Sequence, residues 1–236
     1  MRACLFDMDG VLTRTARLHA EAWKQAFDEL LRAQGKPFVP FDIVQDYSHY
    51  VDGKPRLDGV RSFLAARGID LPEGTDADPP GAQTVRGIGR RKQELLLQLV
   101  HDHSVATYEG SVRYVRAARE AGLKTAVVSS SKNAPEFLAS AGIADLFDVR
   151  IDGLIAEQRH LAGKPAPDTY LAAARAVSVD PDCAAVFEDA LAGVEAGRAG
   201  HFGYVLGVDR VGQGPALHQH GADIVVEDLA DLMEAA

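Results

Sequence analysis

Residues 5–13 read LFDMDGVLT, and in this stretch an apolar run ends in two closely spaced carboxylates, Asp7 and Asp9. In an extended segment, side chains two residues apart point to the same side. Two like charges at such short range are unstable without a cation or a proton. The stretch is therefore either the end of a buried strand that meets a cation or a solvated turn at Gly10.

The composition is that of an ordinary globular protein. Of the 236 residues, 47% are hydrophobic and 25% are charged, which is enough for one large domain or for one domain plus a smaller one. The net charge of -9 provides no basic field, so we expect no nucleic acid and no membrane as a partner. No apolar run reaches the roughly 20 residues that span a bilayer, and no apolar signal core is seen. We therefore expect a cytoplasmic protein.

Short apolar runs recur along the chain, with segments of helical composition between them. Runs that do not alternate with polar residues indicate strands buried on both faces. Repeated strand and helix predicts a Rossmann-like α/β fold with a doubly wound parallel sheet. The predicted strands are Ala3 to Phe6, Thr125 to Val128, Val149 to Ile151, Ala184 to Phe187, Tyr204 to Val208 and Ile224 to Val226. The predicted helices are Gly110 to Ala121, Ala134 to Ala141, Asp168 to Val177 and Leu191 to Ala199.

Residues 15–103 do not continue this alternation of strands and helices, because no comparable strand is predicted there. Apolar residues instead repeat at helical spacing from Leu18 to Leu31 and from Leu95 to Val100. Between them, the proline-containing polar stretch 71–83 is typical of a loop. We predict an α-helical domain at 15–103, inserted into a core formed by residues 1–14 and 104–236.

The candidate site residues lie mainly where predicted strands end. In open parallel sheets, ligands bind beyond the carboxyl ends of the strands. Carboxylates follow two strands, hydrogen-bonding groups follow a third, and prolines hold a lysine in place before a helix. These residues are Asp7 and Asp9, Ser129 to Asn133, Lys164, and Glu188 and Asp189. Converging carboxylates suit a hard divalent cation, and Mg²⁺ fits because it uses few carboxylates and often a substrate phosphate.

The two aspartates can divide the work of phosphoryl transfer. One would attack phosphorus and form an acyl phosphate. The other would donate a proton to the leaving oxygen and later take one from the acceptor. Ser129 and Lys164 are suited to hold the non-bridging oxygens, because such catalysis consists largely of positioning and charge neutralisation.

Two other patterns do not predict a site. The pairs His101 with His103 and His218 with His220 lack a further ligand at matching spacing, which disfavours zinc. Lys164 is followed by proline rather than by Ser or Thr, which argues against a nucleotide P-loop.

Together, the four segments resemble the haloacid dehalogenase superfamily of phosphotransferases. Its motifs are matched in order and spacing by DMDGVLT at 7–13, by Ser129 after a strand, by Lys164 in GKPAPDTY, and by Glu188 and Asp189 in FEDALAGVEAG. The ordered set is more specific than any single motif. The resemblance implies the fold of that superfamily, with a helical cap domain inserted into the core.

A closer resemblance, over nearly the whole chain, is to the beta-phosphoglucomutase family, in which the cap selects sugar phosphates. His19 and Trp23 lie in a segment similar to one that carries a cap histidine and tryptophan. Arg56 lies where the family places an arginine that binds the phosphate not undergoing transfer, and Lys92 matches a cap lysine. Arg14 departs from the family, because many relatives have an acidic residue there.

A core loop of the same family is matched by Ser131, Lys132 and Asn133. From the residues alone, this set and the cap residues could also have purely structural roles. Ser131 and Asn133 could cap the following helix, and the charged cap residues could lie on a solvated face. The resemblance favours contact with substrate.

The resemblance also implies a mechanism. Asp7 would be phosphorylated, Asp9 would be the general acid and base, and Mg²⁺ would be held by Asp7, the carbonyl of Asp9 and Asp189, with Glu188 in support. Beta-glucose 1-phosphate would become glucose 6-phosphate by way of the 1,6-bisphosphate. The alternatives are a phosphatase with water as acceptor and a non-catalytic sugar-phosphate sensor. We expect a monomer whose partner is a small sugar phosphate.

Overall fold

The computed structural model describes residues 1–34 and 37–234, and the chain divides into two compact units. The first unit comprises Met1–Arg14 and Val105–Ala236, and the second comprises Thr15–Ser104. The second unit is therefore an insertion into the first, directly after the segment that contains Asp7 and Asp9.

A six-stranded sheet forms the centre of the first unit. The strands are β1 Ala3–Phe6, β2 Lys124–Val128, β3 Val149–Ile151, β4 Ala184–Glu188, β5 Tyr204–Val208 and β6 Ile224–Val226. All neighbouring strands are parallel, and their order is β3-β2-β1-β4-β5-β6. This is a doubly wound order, so the predicted α/β class is confirmed.

Helices connect these strands and pack against the sheet. The described residues of this unit contain seven α-helices: α4 Glu109–Glu120, α5 Ala134–Ser140, α6 Gly153–Gln158, α7 Asp168–Ala176, α8 Leu191–Ala199, α9 Gly214–His220 and α10 Asp231–Glu234. Helices α6, α9 and α10 are not among those predicted from the sequence. They have four to seven residues, which leaves little room for a helical repeat of apolar positions.

Strand β1 is central because all four of its residues are apolar and buried. It pairs with β2 on one side and with β4 on the other, and Phe6 is level with Val127 and Phe187. The rings of Phe6 and Phe187 are stacked with their centroids 4.6 Å apart. The residues that follow β1, β2 and β4 therefore emerge side by side at one edge of the sheet.

The second unit is helical, and its described residues contain no β-strand. It consists of α1 Ala16–Ala33, a short π-helical turn at Tyr47–Val51, α2 Arg56–Ala66 and α3 Val85–His103. Its core is aromatic: Phe27 lies between the stacked ring of Trp23 and the rings of Phe41 and Phe63. The apolar residues predicted at helical spacing in 18–31 and 95–100 lie on α1 and α3.

No helix in the described part of the chain combines the length and the apolar character that a bilayer crossing requires.

Candidate active site

The ammonium group of Lys164 bridges two carboxylates at the carboxyl edge of the sheet. Its Nζ lies 2.5 Å from Oδ1 of Asp7 and 2.5 Å from Oε1 of Glu188. It also donates to the carbonyl of Val128 at 3.4 Å. All of these groups are buried. One lysine thus ties together the ends of β1, β2 and β4.

A carboxylate cluster forms around this contact. One oxygen each from Asp7, Glu188 and Asp189 lies within 4.8 Å of the other two. Two glycines make room for the cluster, because a Cβ at Gly10 would lie 1.7 Å from Oδ2 of Asp189 and one at Gly193 would lie 1.8 Å from Oε1 of Glu188. Gly10 also has a φ of +92°, a conformation that favours glycine.

Charge in the cluster is unbalanced. Burial raises the pKa of Asp7 well above its ordinary value, and Glu188 and Asp9 act in the same direction while Lys164 opposes them. Burial alone would lower the pKa of Lys164, but the two carboxylates it contacts outweigh that effect and raise its pKa. Lys164 therefore stays protonated while facing an excess of carboxylates. A divalent cation with oxygen ligands fits this donor set.

Asp9 and Ser129 lie at the same edge. Ser129 is buried, its Oγ is 3.5 Å from Oδ2 of Asp9, and it accepts a hydrogen bond from the backbone N–H of Ser131 at 3.1 Å. The Ser131 hydroxyl in turn accepts from the N–H of Asn133 at 3.1 Å. Lys132 is exposed and pairs with Glu157 at 2.7 Å, so its ammonium lies outside the carboxylate cluster.

Tyr170 also belongs to this region, although it is not among the residues predicted from the sequence. Its hydroxyl donates to Oε1 of Glu188 at 2.9 Å, and Nζ of Lys164 lies 5.0 Å from its ring centroid. The other Glu188 oxygen accepts from the N–H of Ala190 at 3.1 Å. The sequence does carry a signal for it, since Tyr170 lies in the same GKPAPDTY segment as Lys164 and comes early in a predicted helix.

In the second unit, His19, Trp23 and Lys92 form one group. His19 and Trp23 are four residues apart on α1 and share a face of the helix. Lys92, on α3, is buried, with its Nζ 3.1 Å from Nδ1 of His19 and 5.0 Å from the centroid of the Trp23 ring. Because an ammonium group can only donate, His19 accepts at Nδ1 and carries its proton on Nε2.

Arg56 is the first residue of α2, and its guanidinium donates to the side-chain carbonyl of Gln93 on α3. The nearby Lys54 is held by the carbonyl of His49 and the hydroxyl of Ser62, both at 3.1 Å. Burial lowers the pKa of His19 well below its ordinary value, and the positive charges of Lys92 and Arg56 lower it further. His19 is therefore a neutral imidazole next to two cations.

Known proteins resemble the chain over most of its length. Residues 1–201 match the model of the haloacid dehalogenase-like hydrolase family. A beta-phosphoglucomutase of Mycobacterium bovis is 53% identical to this chain, and the match covers 99% of this chain and 92% of the relative. A beta-phosphoglucomutase of Bacillus subtilis is 32% identical, and the match covers 98% of this chain and 92% of the relative. The solved structure of a Clostridium difficile beta-phosphoglucomutase covers 98% of this chain and 93% of its own, with a TM-score of 0.75 at 23% identity.

The lowered pKa of His19 predicts a pH dependence of stability. Below the ordinary imidazole value of 6.5, the unfolded chain binds a proton that the folded chain does not, so stability falls as the pH falls. In His19→Gln, the free energy of unfolding should fall less steeply below pH 6.5, by at most about 1.4 kcal/mol per pH unit. Urea unfolding from pH 7.5 to 5 measures the slopes, with the exposed His101→Gln as control. Equal slopes in His19→Gln and the wild type would contradict the prediction.

Proposed function

The chain belongs to the haloacid dehalogenase-like hydrolase family, and from this premise we propose that it is a Mg²⁺-dependent sugar phosphomutase acting through a phosphoryl group on Asp7. The reaction is the conversion of beta-glucose 1-phosphate to glucose 6-phosphate by way of the 1,6-bisphosphate. The observation that carries the proposal is the buried Asp7 carboxylate, which is held by Lys164 beside two further carboxylates. The relatives named beta-phosphoglucomutase support the choice of substrate.

Asp7, Asp189 and the carbonyl of Asp9 would hold the metal. Glu188 would support it rather than bind it, because its two oxygens already accept hydrogen bonds from Lys164, Tyr170 and Ala190. The ion would offset carboxylate charge and draw electron density from the phosphoryl oxygens. The excess of buried carboxylates over cations in the cluster supports this assignment.

The side chains of the first unit account for the chemical steps. With Asp7 phosphorylated, the 6-hydroxyl of beta-glucose 1-phosphate attacks this phosphoryl group and gives its proton to Asp9, which frees the Asp7 carboxylate and forms the 1,6-bisphosphate. An oxygen of Asp7 then attacks the other phosphorus, the bond from that phosphorus to the sugar oxygen breaks, and Asp9 donates the proton to that oxygen, which releases glucose 6-phosphate and restores phosphorylated Asp7. Ser129 and the protonated Lys164 hold the non-bridging oxygens, where negative charge is concentrated.

The helical unit supplies substrate contacts in this proposal. Arg56 binds the phosphate that is not being transferred, because its planar guanidinium matches phosphate geometry. Lys92 and His19 present one charged and one neutral donor next to the Trp23 ring, a mixture suited to a sugar phosphate. In the first unit, Ser131, Lys132 and Asn133 add hydrogen-bonding groups after β2.

A phosphatase that uses the same aspartyl phosphate is the second candidate, since only the acceptor differs. The buried pairing of Lys92 with His19 and the position of Arg56 favour an enzyme that holds a sugar as the acceptor. A non-catalytic sensor is disfavoured, because the acidic residues and the lysine needed for covalent phosphoryl transfer are all present.

A product assay tests the proposed reaction. The pure protein is incubated with beta-glucose 1-phosphate, Mg²⁺ and a trace of the 1,6-bisphosphate, and ³¹P NMR follows the products. Glucose 6-phosphate is expected in excess over free phosphate, and the alpha anomer should not react. Rapid release of free phosphate without isomer would identify a phosphatase instead.

Asp7→Asn tests the covalent step. The amide keeps the shape of the side chain but is a poor nucleophile, so turnover should fall by about a thousandfold or more. Asp145→Asn, at an exposed position in the same unit, is the control and should retain full turnover. Wild-type turnover in Asp7→Asn would rule out attack by Asp7.

Arg56→Ala tests the choice between sugar and water as acceptor. Loss of a charged hydrogen-bonding partner weakens such a contact by about 1.5–3 kcal/mol, so isomer formation should fall roughly tenfold to a hundredfold. Release of free phosphate should fall less, which raises the ratio of phosphate to isomer. Arg61→Ala removes an arginine from the same helix that pairs with Asp58 and Glu73, and its product ratio should match that of the wild type. An unchanged ratio of phosphate to isomer in Arg56→Ala would contradict a role for Arg56 in binding the substrate.

A further inference from the structure

Arg210, in the loop of residues 209–213 that connects β5 to α9, donates hydrogen bonds to three separate segments. Nε donates to the carbonyl of Gly10 at 2.9 Å, and one terminal nitrogen donates to the carbonyl of Val11 at 3.4 Å and to the hydroxyl of Ser111 at 3.2 Å. The other terminal nitrogen donates to the carbonyl of Glu227 at 2.6 Å and to Asp228 at 3.1 Å. The five N–H donors of a guanidinium thus match five acceptors.

The same guanidinium lies on an aromatic ring. Its central carbon is 3.6 Å from the ring centroid of Tyr108, and the N–H of Tyr108 donates to the carbonyl of Leu12 at 2.9 Å. Arg14 contacts this ring as well, at 4.8 Å, and donates to the carbonyl of Thr107 at 3.3 Å. Arg14 thus joins Arg210 in holding the turn that follows β1 against residues 107–108.

Gln213 makes a second connection from the same loop. Its side-chain amide donates to the backbone carbonyl of Asp189 at 2.8 Å. The loop is shaped by Asp209, whose carboxylate accepts from four successive backbone N–H groups, those of Val211 to Gly214, at 2.7 to 3.1 Å. A loop stiffened in this way can hold two side chains at fixed positions.

We infer that Arg210 and Gln213 are positioning residues: Arg210 fixes the turn that carries Asp9, and Gln213 fixes Asp189. The inference rests on the proposed function for the roles of these two aspartates. Arg210 acts on the two carbonyls directly after Asp9, so its loss would move the proton donor without removing it. Gln213 acts on the backbone of a proposed metal ligand, so its loss would weaken metal binding.

Two substitutions separate these roles. Arg210→Lys keeps the positive charge, but it replaces the five donors of a planar guanidinium with the three donors of an ammonium group on a flexible side chain. Gln213→Leu keeps the size of the side chain but removes its donor. Arg198→Lys is the control for the first, because Arg198 also binds a backbone carbonyl and a carboxylate, those of Gly221 and Asp223. The exposed Gln219→Leu is the control for the second.

Three measurements are made on each variant. The first is kcat and KM for total phosphoester turnover, counted as isomer plus free phosphate. The second is the Mg²⁺ dissociation constant by calorimetry. The third is hydrogen exchange of amides 8–13, where the N–H of Gly10 donates to Thr13 and the N–H groups of Leu12 and Thr13 donate to Met8.

Arg210→Lys should lower kcat on the order of a hundredfold, since a displacement of about 1 Å in catalytic geometry has such effects. KM and Mg²⁺ affinity should change little, and exchange of amides 8–13 should accelerate. Gln213→Leu should weaken Mg²⁺ binding about tenfold or more, with kcat restored at saturating Mg²⁺. Both controls should match the wild type in every measurement.

Unchanged kcat together with unchanged exchange of amides 8–13 in Arg210→Lys would overturn its role. Wild-type Mg²⁺ affinity in Gln213→Leu would overturn the role of Gln213. If Arg210→Lys does not fold, Ser111→Ala is tested instead, because it removes one of the five acceptors of Arg210. This variant should show a smaller loss of kcat and faster exchange of amides 8–13. The absence of both effects would overturn the inference. If the wild type turned over no phosphoester, the proposed function would fail, while exchange and calorimetry would still decide the positioning roles.

Discussion

The site depends on one buried contact, the ammonium of Lys164 between the carboxylates of Asp7 and Glu188. Asp7 is 157 positions and Glu188 is 24 positions from Lys164 in the chain, and the three meet only because the sheet brings the strand ends together. Water screens such a contact weakly, and removing one partner of a buried pair destabilises a protein by about 3–5 kcal/mol because it leaves a charge uncompensated. The same lysine therefore organises the site and makes folding of the core depend on its charge balance.

The sheet could be predicted because most of its strands coincide with runs of apolar residues in the sequence. Each predicted strand lies within one residue of the observed one. The four inner strands are buried along almost all of their length and need uninterrupted apolar residues, whereas the edge strands β3 and β6 are only partly buried, contrary to the expectation of burial on both faces. Because ligands bind beyond the carboxyl ends of parallel strands, the same pattern also predicts that Asp7, Ser129 and Glu188 are neighbours. The short helices α6 and α9 are not predicted, because one or two turns display a helical repeat only weakly.

The contacts around the site could not be predicted, because they depend on tertiary structure. Arg210 reaches Gly10 across 200 positions of sequence, and no local pattern marks an arginine whose acceptors are backbone carbonyls. The rule about strand ends applies equally to β5, but the loop after it carries no carboxylate pair, so its sequence does not predict a role in the site. Gly193 is similar, since its role follows only from the closeness of Glu188. Sequence identifies reactive groups better than the residues that hold them.

The two aspartates after β1 are held differently, and this difference supports their proposed division of labour. Asp7 extends the strand: its N–H donates to the carbonyl of Phe187 at 2.9 Å and its carboxylate is fixed by Lys164. Asp9 lies beyond the strand in the turn at Gly10, is only partly buried, and has its carboxylate 3.5 Å from the Ser129 hydroxyl. A nucleophile needs a fixed line of attack, whereas a group that gives and takes protons must reach its partners in both steps. Because the two aspartates are so close in the chain, it is the abrupt end of β1 that gives their carboxylates such different surroundings.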